Sequence, residues 1–417
     1  MSSRLIFHID VNSAFLSWEA AKRLQNGETT DLRLVPSAIG GDRESRRGII
    51  LAKSIPAKKY GIQTGEPIAS ALRKCPDLYI APSDFRLYER SSKTFIAVCK
   101  KYAPVVEQFS IDECFLDMSG TARLYPDPLA IAHRIKDEIR NTLGFTVNVG
   151  IGSNKLLAKM ASDFEKPDKV HTLFSEEIPT KLWPLPVGEL FTVGRATATR
   201  LESARIMTVG ELANTDPDRL RAMFGIKQGE HLFRYANGID HSPVLGEAED
   251  AKGYSNSTTL KEDLCSFEEA HRVLLALADS VTSRMRNDHR HALCVAVTIR
   301  GNDFRDRSHQ KHLSVPTDVT SEVYEVAKKL FSELWDRRTP LRLLGISLSA
   351  LTEEDGTQLS LFPDEKKERE RQLDKLIDSI RGRFGSSTIV RGSIMQYGNV
   401  GKKHKAQADV ENEDKKE

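Results

Sequence analysis

Two adjacent acidic residues, Asp112 and Glu113, interrupt an apolar stretch that runs from Phe109 to Asp117. The Ile, Phe, Cys and Leu residues of this stretch predict a buried strand. Ionised carboxylates are seldom fully buried without a partner. A pair of them at the end of a core strand therefore predicts a cation between them, most simply a divalent metal ion. On these residues alone, a strand end whose acids point into water explains the pattern equally well.

A third acid, Asp10, follows the strand-like residues 5–9 and precedes a stretch, starting at Asn12, that has cap residues and helical spacing. An acid between a strand end and a helix N-terminus is well placed to hold a metal ion beside a bound phosphate. For Asp10 taken alone, a helix-capping role is an equally good interpretation.

A basic cluster follows the strand-like residues 48–52. It consists of Lys53, Lys58 and Lys59, which lie close together on a predicted helix. Such a cluster can bind a polyphosphate. Without context, a solvated basic surface is the more common meaning of the same pattern.

The order of the predicted elements brings the acids together. Strand 5–9 is followed by a helix over 82–101, a strand pair over 105–117, a helix in which isoleucines recur every four residues from 131 to 139, and a strand over 145–151. This is the order of a ferredoxin-like sheet with helices on one face. The first strand then lies between its two neighbours, so that Asp10 shares one edge with Asp112 and Glu113. Two-metal phosphoryl transfer requires such an arrangement.

Two further regions indicate contacts with nucleic acid. Residues 184–240 predict short helices, including a helical hairpin in which Gly194 and Arg195 open the second helix; its amides could bind a DNA phosphate, although plain helix packing is nearly as good an explanation. After a linker over 240–251, a second α+β domain is predicted, with strands over 255–260, 292–300 and 341–350. Lys and Arg exceed Asp and Glu between Arg284 and Lys311, as a DNA-binding surface or an ordinary surface loop would show.

Composition narrows the class of protein. The chain has 417 residues, enough for two to four domains, and its 39% hydrophobic and 29% charged residues are ordinary for a soluble protein. No apolar run approaches the roughly 20 residues of a membrane span. Five scattered cysteines predict reduced thiols, and we expect a cytoplasmic monomer without membrane contact. The net charge of +2 does not identify a partner.

The C-terminal region contains a short peptide and a helix. An acidic stretch leads into Gln358, Leu359, Ser360, Leu361 and Phe362, which predict a peptide that anchors two apolar side chains in a partner's pocket. A helix over 371–384 follows, with Leu373, Leu376, Ile377 and Ile380 on one face. Residues 401–417 are charged, have no core material and are expected to be disordered.

From residue 4 to about residue 350 the chain resembles the Y-family DNA polymerases. The resemblance rests on His8, Ile9 and Asp10, on the run from Ser110 to Glu113, and on the stretch 149–167. It implies a right-hand polymerase of α+β multidomain architecture, with a ferredoxin-like palm, small fingers, a helical thumb and an α+β little-finger domain. The implied limits are palm 1–12 and 81–170, fingers 13–80, thumb with helix-hairpin-helix 171–239, linker 240–251, little finger 252–352, and clamp-binding peptide with C-terminal helix 353–400.

The resemblance also implies roles for individual residues. The Asp10, Asp112 and Glu113 carboxylates and the Val11 carbonyl match the ligands of two Mg²⁺ ions, for which Mn²⁺ can substitute. Phe15 matches the ring that clashes with a ribose 2′-hydroxyl. The other implied contacts are with the dNTP (Asn12, Ser13, Ala14, Phe15, Ser54, Lys58, Lys166), with primer-template DNA (Gly194, Arg195, Arg300, Arg305, Arg307) and with the replicative sliding clamp (Gln358, Leu359, Leu361, Phe362).

Three positions depart from the family pattern. Ile55 and Lys58 stand where many members carry a Tyr and an Arg that hold the triphosphate, and Asn12 stands where an acid is more usual. Lysine keeps the charge of arginine but not its two-pronged hydrogen bonding, and isoleucine cannot hydrogen-bond at all. We expect weaker nucleotide binding, or compensation by Lys53 or Ser54.

The function that the resemblance implies is error-prone translesion DNA synthesis in DNA repair and damage tolerance, by template-directed addition of dNTPs to a primer 3′-hydroxyl at low processivity. Two other classes of protein share some of these features. A non-catalytic DNA- or clamp-binding module would not need the intact trio of carboxylates. A nucleotidyl cyclase can share the palm and its paired metals, but it would have no use for the hairpin, the basic domain and the peptide.

The clamp peptide can be tested separately from catalysis. Replacement of Gln358, Leu361 and Phe362 by Ala should lower processivity in the presence of the clamp, because the two apolar anchors are lost. Single-nucleotide insertion without the clamp should not change. Equal losses in the two primer-extension assays would contradict the assignment.

Overall fold

The computed structural model describes residues 4–41, 48–247, 250–353, 365–385 and 388–397. The chain forms two compact units, one of Met1–Gly41 with Ile49–Ala248 and the other of Asp42–Gly48 with Glu249–Glu417. Within the described residues, no helix is long and apolar enough to cross a membrane. The four residues of the predicted clamp-binding peptide and the charged tail 401–417 lie outside the described part.

The first unit contains two sheets and a group of helices. Its elements, in chain order, are β1 (Ile6–Val11), α1 (Ala14–Gln25), β2 (Ser37–Gly40), β3 (Ile50–Lys53), α2 (Ile55–Lys59), α3 (Ile68–Lys74), β4 (Tyr79–Pro82), α4 (Phe85–Cys99), β5 (Val105–Gln108), β6 (Glu113–Asp117), α5 (Pro128–Leu143), β7 (Val147–Gly152), α6 (Lys155–Asp163), β8 (Val170–Leu173), α7 (Arg195–Ser203), α8 (Val209–Ala213), α9 (Pro217–Phe224) and α10 (Ile226–Ala236).

The larger sheet has the strand order β5-β6-β1-β7-β8. The first strand therefore lies between β6 and β7, antiparallel to both, as the element order predicts. Alternate residues of β1 point to opposite faces. Phe7, Ile9 and Val11 join the core that includes residues of α4 and α5, whereas Ile6 packs with Ala158 of α6. The expectation of helices on one face is thus incomplete, because α6 covers the other face.

Two glycines of β7 allow α6 to approach this second face closely. A Cβ atom on Gly150 would lie 2.0 Å from the Ala158 carbonyl oxygen, and one on Gly152 would lie 2.7 Å from the Ala158 nitrogen. Any larger residue at these positions would push the helix off the sheet. The close packing of α6 matters for function, because α6 and the loop after it carry the cations of the site described below.

The smaller sheet has the order β3-β2-β4 and a small core of its own. Its elements β2, β4 and α3 were not predicted, since they are only four to seven residues long. The helices α7 to α10 form another core together with apolar residues of α6. In the expected helical hairpin, the first arm is only a 3-10 turn, Val187–Glu189.

The second unit is a four-stranded sheet with helices. Its elements are β9 (Gly253–Leu264), α11 (Phe267–Asn287), β10 (His291–Gly301), β11 (Asp306–Thr317), α12 (Thr320–Leu334), β12 (Leu341–Thr352) and α13 (Glu365–Phe384). The strand order is β11-β10-β12-β9, and α11 and α12 share the apolar core with β9, β10 and β12. Strand β11 was missed: the basic stretch interpreted as one strand and its loop forms a two-stranded hairpin.

The C-terminal helix α13 packs through charged residues. The apolar residues of this helix are only partly buried: Leu373 and Leu376 have exposed fractions of 50% and 58%, whereas Ile377 and Asp374 are buried. Arg286 of α11 donates to Asp378 at 2.7 Å and to Asp374 at 3.3 Å. Similar pairs join Arg371 to Asp318 and Arg381 to Asp279. The charged face is buried because its partners on the domain carry the opposite charges.

Removal of one member of this network should destabilise the second unit. We expect Arg286→Ala to lower the free energy of unfolding by about 3–5 kcal/mol, because the buried carboxylate of Asp378 loses its charged partner, whereas Asp374 keeps its pair with Arg391. Chemical denaturation measures the effect. The matched control is Arg272→Ala on the same helix, where the pair with Glu268 is exposed and contributes about 0–1 kcal/mol. Equal effects of the two substitutions would contradict this account.

Candidate active site

Strand pairing places two of the predicted acids side by side. Asp10 of β1 is directly opposite Glu113 of β6. Directly opposite residues of paired strands point to the same face, and here that face is covered by α6. Asp112 lies just before β6, where its carbonyl oxygen accepts a hydrogen bond from the Val11 nitrogen at 3.0 Å. Its carboxylate accepts one from the Ser110 hydroxyl at 2.6 Å. The three acids therefore belong to adjacent positions of one sheet end.

Two lysines neutralise these carboxylates. Lys159 of α6 donates to Glu113 at 2.7 Å and lies 3.8 Å from Asp10. Lys166, in the loop after α6, donates to Asp10 at 2.6 Å and lies 2.8 Å from Asp163. The two ammonium groups occupy positions from which a cation could contact the carboxylate oxygens of Asp10 and Glu113. Among the residues that the structure describes, no group of three or more His, Cys, Asp or Glu side chains is arranged to hold a metal ion.

The carboxyl groups of Asp10 and Glu113 have different pKa values because their surroundings differ. Burial raises the pKa of Asp10 to about 6, and the charge of Lys166 offsets only part of this effect. Burial also acts to raise the pKa of Glu113, but the neighbouring His8 ring and the hydrogen bond and charge of Lys159 outweigh it and bring the pKa to about 2. Near neutral pH both carboxyl groups are ionised, as binding of a metal cation requires. As the pH falls through 6, Asp10 is the first of the two to take up a proton.

His8 belongs to the site, although no role of its own was predicted for it from the sequence. Its ring is fully buried; Nδ1 lies 2.8 Å from the Ser162 hydroxyl, and Nε2 lies 3.6 Å from Glu113. Burial lowers the pKa of His8 to about 4, so the ring is neutral at physiological pH. The ring therefore lies beside Glu113 without adding a charge, and the hydrogen bond to Glu113 comes from Lys159. Its position two residues before Asp10, on the same face of β1, was the available signal.

Phe15 is held by a cluster of aromatic rings at the start of α1. Its ring stacks on Tyr88 with centroids 4.4 Å apart, and its edge contacts Phe85 at 6.1 Å. The predicted cap residues before it do not cap the helix: Ser13 has a left-handed backbone (φ 47°), is exposed and makes no side-chain cap hydrogen bond. The side chain of Asn12 is instead directed to Asn148 and to the loop of Lys166.

The fingers residues differ in what they can offer a phosphate. The Ser54 hydroxyl donates to the Val35 carbonyl and accepts from two backbone amides, so it caps α2 and has little left for a ligand. Lys58 is exposed. Partial burial and the charge of Lys58 lower the pKa of Lys53, which indicates that the two lysines are close enough to repel each other. Of the two residues expected to compensate for Ile55, Ser54 has its hydroxyl in use, and compensation by Lys53 stays a prediction.

The chain was compared with known proteins. A family model described as the impB/mucB/samB family matches residues 9–163, and the model of that family's C-terminal domain matches residues 251–361. The thumb-domain model of DNA polymerase-iota matches residues 188–240. The DNA polymerase IV of Clostridium acetobutylicum is 45% identical over 94% of this chain and 99% of the relative. The chain belongs to the Y family of DNA polymerases.

Other similarities agree with this assignment. The DNA polymerase IV 2 of Bacillus subtilis is 37% identical over 95% of each chain. A solved Y-family DNA polymerase chimera covers 84% of this chain and all of its own with a TM-score of 0.72; at 22% identity it supports the fold alone. The resemblance, the α+β fold class with palm, thumb and little finger, and the enzyme class of DNA-directed DNA polymerase are confirmed.

The residues predicted to contact DNA differ in how exposed they are and in whether their charges are already paired. Gly194 is the N-cap of α7, and both it and Arg195 are exposed. Arg305 is 86% exposed. In contrast, Arg300 makes two hydrogen bonds to Asp306, at 2.5 and 2.7 Å, which neutralise much of its charge. Arg307 lies 3.9 Å from Asp336.

A small polar face of the second sheet was not predicted from the sequence. Ala296 and Thr298 of β10 point away from the helices and pair with uncharged residues on both neighbouring strands, whereas Arg300, further along the same face, is opposite Asp306. The members of this face are Ser255, Ser257, Ala296, Thr298, Ser308, Gln310, Gly345 and Ser347. Because none of these eight residues is acidic, a polyanionic backbone can approach the face closely.

A tyrosine at position 55 should improve nucleotide binding. The side chain of Ile55 is about half exposed, so Ile55→Tyr has room for the ring. We expect the KM for dNTP to fall about fivefold, the value of one added hydrogen bond. Ile55→Phe is the matched control, because it adds the ring without the hydroxyl. An unchanged KM for Ile55→Tyr, or the same fall for both variants, would show that the position does not limit phosphate binding.

Proposed function

We propose that this chain is an error-prone translesion DNA polymerase that adds dNTPs to a primer 3′-hydroxyl under the direction of a template, in DNA repair and damage tolerance. The single observation that carries the proposal is the alignment of Asp10 with Glu113 on one sheet face, next to Asp112 and opposite two lysines. Adjacent ionised carboxylates on a scaffold of paired strands are suited to phosphoryl transfer, which depends on positioning and charge neutralisation.

The donor chemistry of this site suits two Mg²⁺ ions, for which Mn²⁺ could substitute. The donors are the carboxylates of Asp10, Asp112 and Glu113 and the carbonyl oxygen of Val11; oxygen atoms are what hard divalent cations prefer. The potential of the site suits cations, since two ammonium groups lie within hydrogen-bonding distance of the carboxylates. When bound, the ions would lower the pKa of the primer hydroxyl and neutralise the charge of the leaving pyrophosphate.

The chain's own residues bind and orient the nucleotide. Lys166, together with Lys53 and Lys58, would bind the triphosphate, and release of Lys166 from Asp10 towards a phosphate would free that carboxylate for a cation. The backbone of residues 13 and 14 at the uncapped start of α1 would bind a phosphate through its amides, whereas the Asn12 amide already donates to the Thr146 carbonyl. The ring of Phe15, fixed by its stacking on Tyr88, would exclude a ribose 2′-hydroxyl.

The remaining contacts follow from the exposed surfaces. We assign DNA binding to the start of α7 and to the small polar face with Arg305, at low processivity without a clamp. The clamp peptide Gln358, Leu359, Leu361 and Phe362 would supply processivity. The domain limits stated from the sequence, a cytoplasmic location and a monomeric state are parts of the same proposal.

Primer extension on a primed template with Mg²⁺ tests the proposal. The wild-type chain should add dNTPs according to the template, and Asp112→Ala should abolish the reaction, because a metal-binding carboxylate is lost. The matched control is Asp77→Ala, an exposed aspartate of the fingers segment, which should retain activity. Absence of extension by the wild-type chain with either Mg²⁺ or Mn²⁺ would rule out the proposed function.

A further inference from the structure

Two buried asparagines join the end of β1 to the end of β7. The exposed fractions of Asn12 and Asn148 are 8% and 0%. The side-chain nitrogen of Asn12 donates to the Asn148 side-chain oxygen at 3.1 Å. Asn148 is also the residue opposite Asp10 in the pairing of β1 with β7. The two amides therefore lie directly beside the carboxylate cluster.

The remaining hydrogen bonds of the pair go to the backbone on both sides of Lys166. Asn148 donates to the carbonyl oxygens of Ser162 at 3.0 Å and Glu165 at 2.6 Å. Its oxygen accepts from the Lys169 nitrogen at 3.3 Å, and the Asn12 oxygen accepts from the Asp168 nitrogen at 2.9 Å. Residue 166 is thus held between anchored neighbours, and its ammonium group reaches Asp10.

The pattern of donors explains why position 12 carries an amide and not an acid. Two carbonyl oxygens fix the orientation of Asn148, so that its own oxygen faces position 12 and accepts there the shorter of its two hydrogen bonds. Aspartate has the same shape as asparagine but only acceptors. A carboxylate oxygen at position 12 would face the Asn148 oxygen at hydrogen-bonding distance, and a flip of Asn148 would turn its oxygen towards the two carbonyls. Either outcome leaves buried polar groups unsatisfied.

We propose that Asn12 and Asn148 act together as positioning residues: they hold the segment 165–169 so that Lys166 reaches the triphosphate of the incoming nucleotide. This inference rests on the proposed function for the identity of the ligand. It gives Asn12 a role that differs from direct contact with the nucleotide. It also explains how this chain does without the acid that is more usual at position 12.

Steady-state primer extension with Asn12→Asp, Lys166→Ala and the double variant tests the inference. We expect Asn12→Asp to raise the KM for dNTP about tenfold, the usual scale for loss of a supporting hydrogen bond around a site, with a smaller change in kcat. In the Lys166→Ala background, Asn12→Asp should raise the KM no further, because it acts through Lys166. The same factor in both backgrounds would overturn the proposal. The matched control is Asn141→Asp, an exposed position of α5.

Hydrogen exchange gives a readout that does not depend on activity. The amides of Asp168 and Lys169 should exchange faster in Asn12→Asp than in the wild-type chain, while the amides of α5 keep their protection. Unchanged exchange of these two amides would overturn the positioning role. If the wild-type chain failed to extend a primer, the proposed function would be wrong, and the exchange data would still decide whether the pair anchors the segment. A general loss of thermal stability with unchanged KM would also count against the inference.

Discussion

Mutual repulsion between neighbouring carboxylates is the constraint on which the rest of this structure depends. Asp10 and Glu113 are brought together by the register of β1 and β6, and most of their surface is hidden from water. Like charges in such a position would not both ionise without compensation. The fold supplies this compensating positive charge by packing α6 against the same face, so that Lys159 and Lys166 neutralise the acids. The close approach of α6 in turn requires glycine at positions 150 and 152 of β7.

Much of the palm sheet could be predicted because the patterns that define its strands and helices span only a few neighbouring residues each. Alternation and helical spacing give the elements, and their order puts β1 in the middle, so the adjacency of Asp10 and Glu113 follows from sequence alone. The lysines opposite them were identified only in part. Lys166 was predicted by resemblance, whereas the role of Lys159 became visible only when the face of the sheet that α6 covers was known. No periodicity of one helix tells which face of a sheet it will cover.

Other features escaped prediction for different physical reasons. Strand β11 lies at the edge of its sheet and its residues are mostly exposed, so it shows no clear alternation of apolar residues. Burial of the charged residues of α13 was not predicted, since amphipathic patterns assume that charged faces prefer water. Here Arg286, Asp318 and Asp279 provide partners, and burial of the charged face becomes acceptable. The pair Asn12 and Asn148 depends on register and on the path of a loop, neither of which a sequence motif contains.

The ion pairs of α13 also tie the attachment of this helix to individual charges. Arg286 with Asp378, Arg371 with Asp318 and Arg381 with Asp279 join the helix to the rest of the second unit. A buried pair that loses one member leaves a charge without compensation, which is far more costly than the loss of one apolar contact. A change of charge at any one of these positions would therefore weaken the attachment of the whole helix.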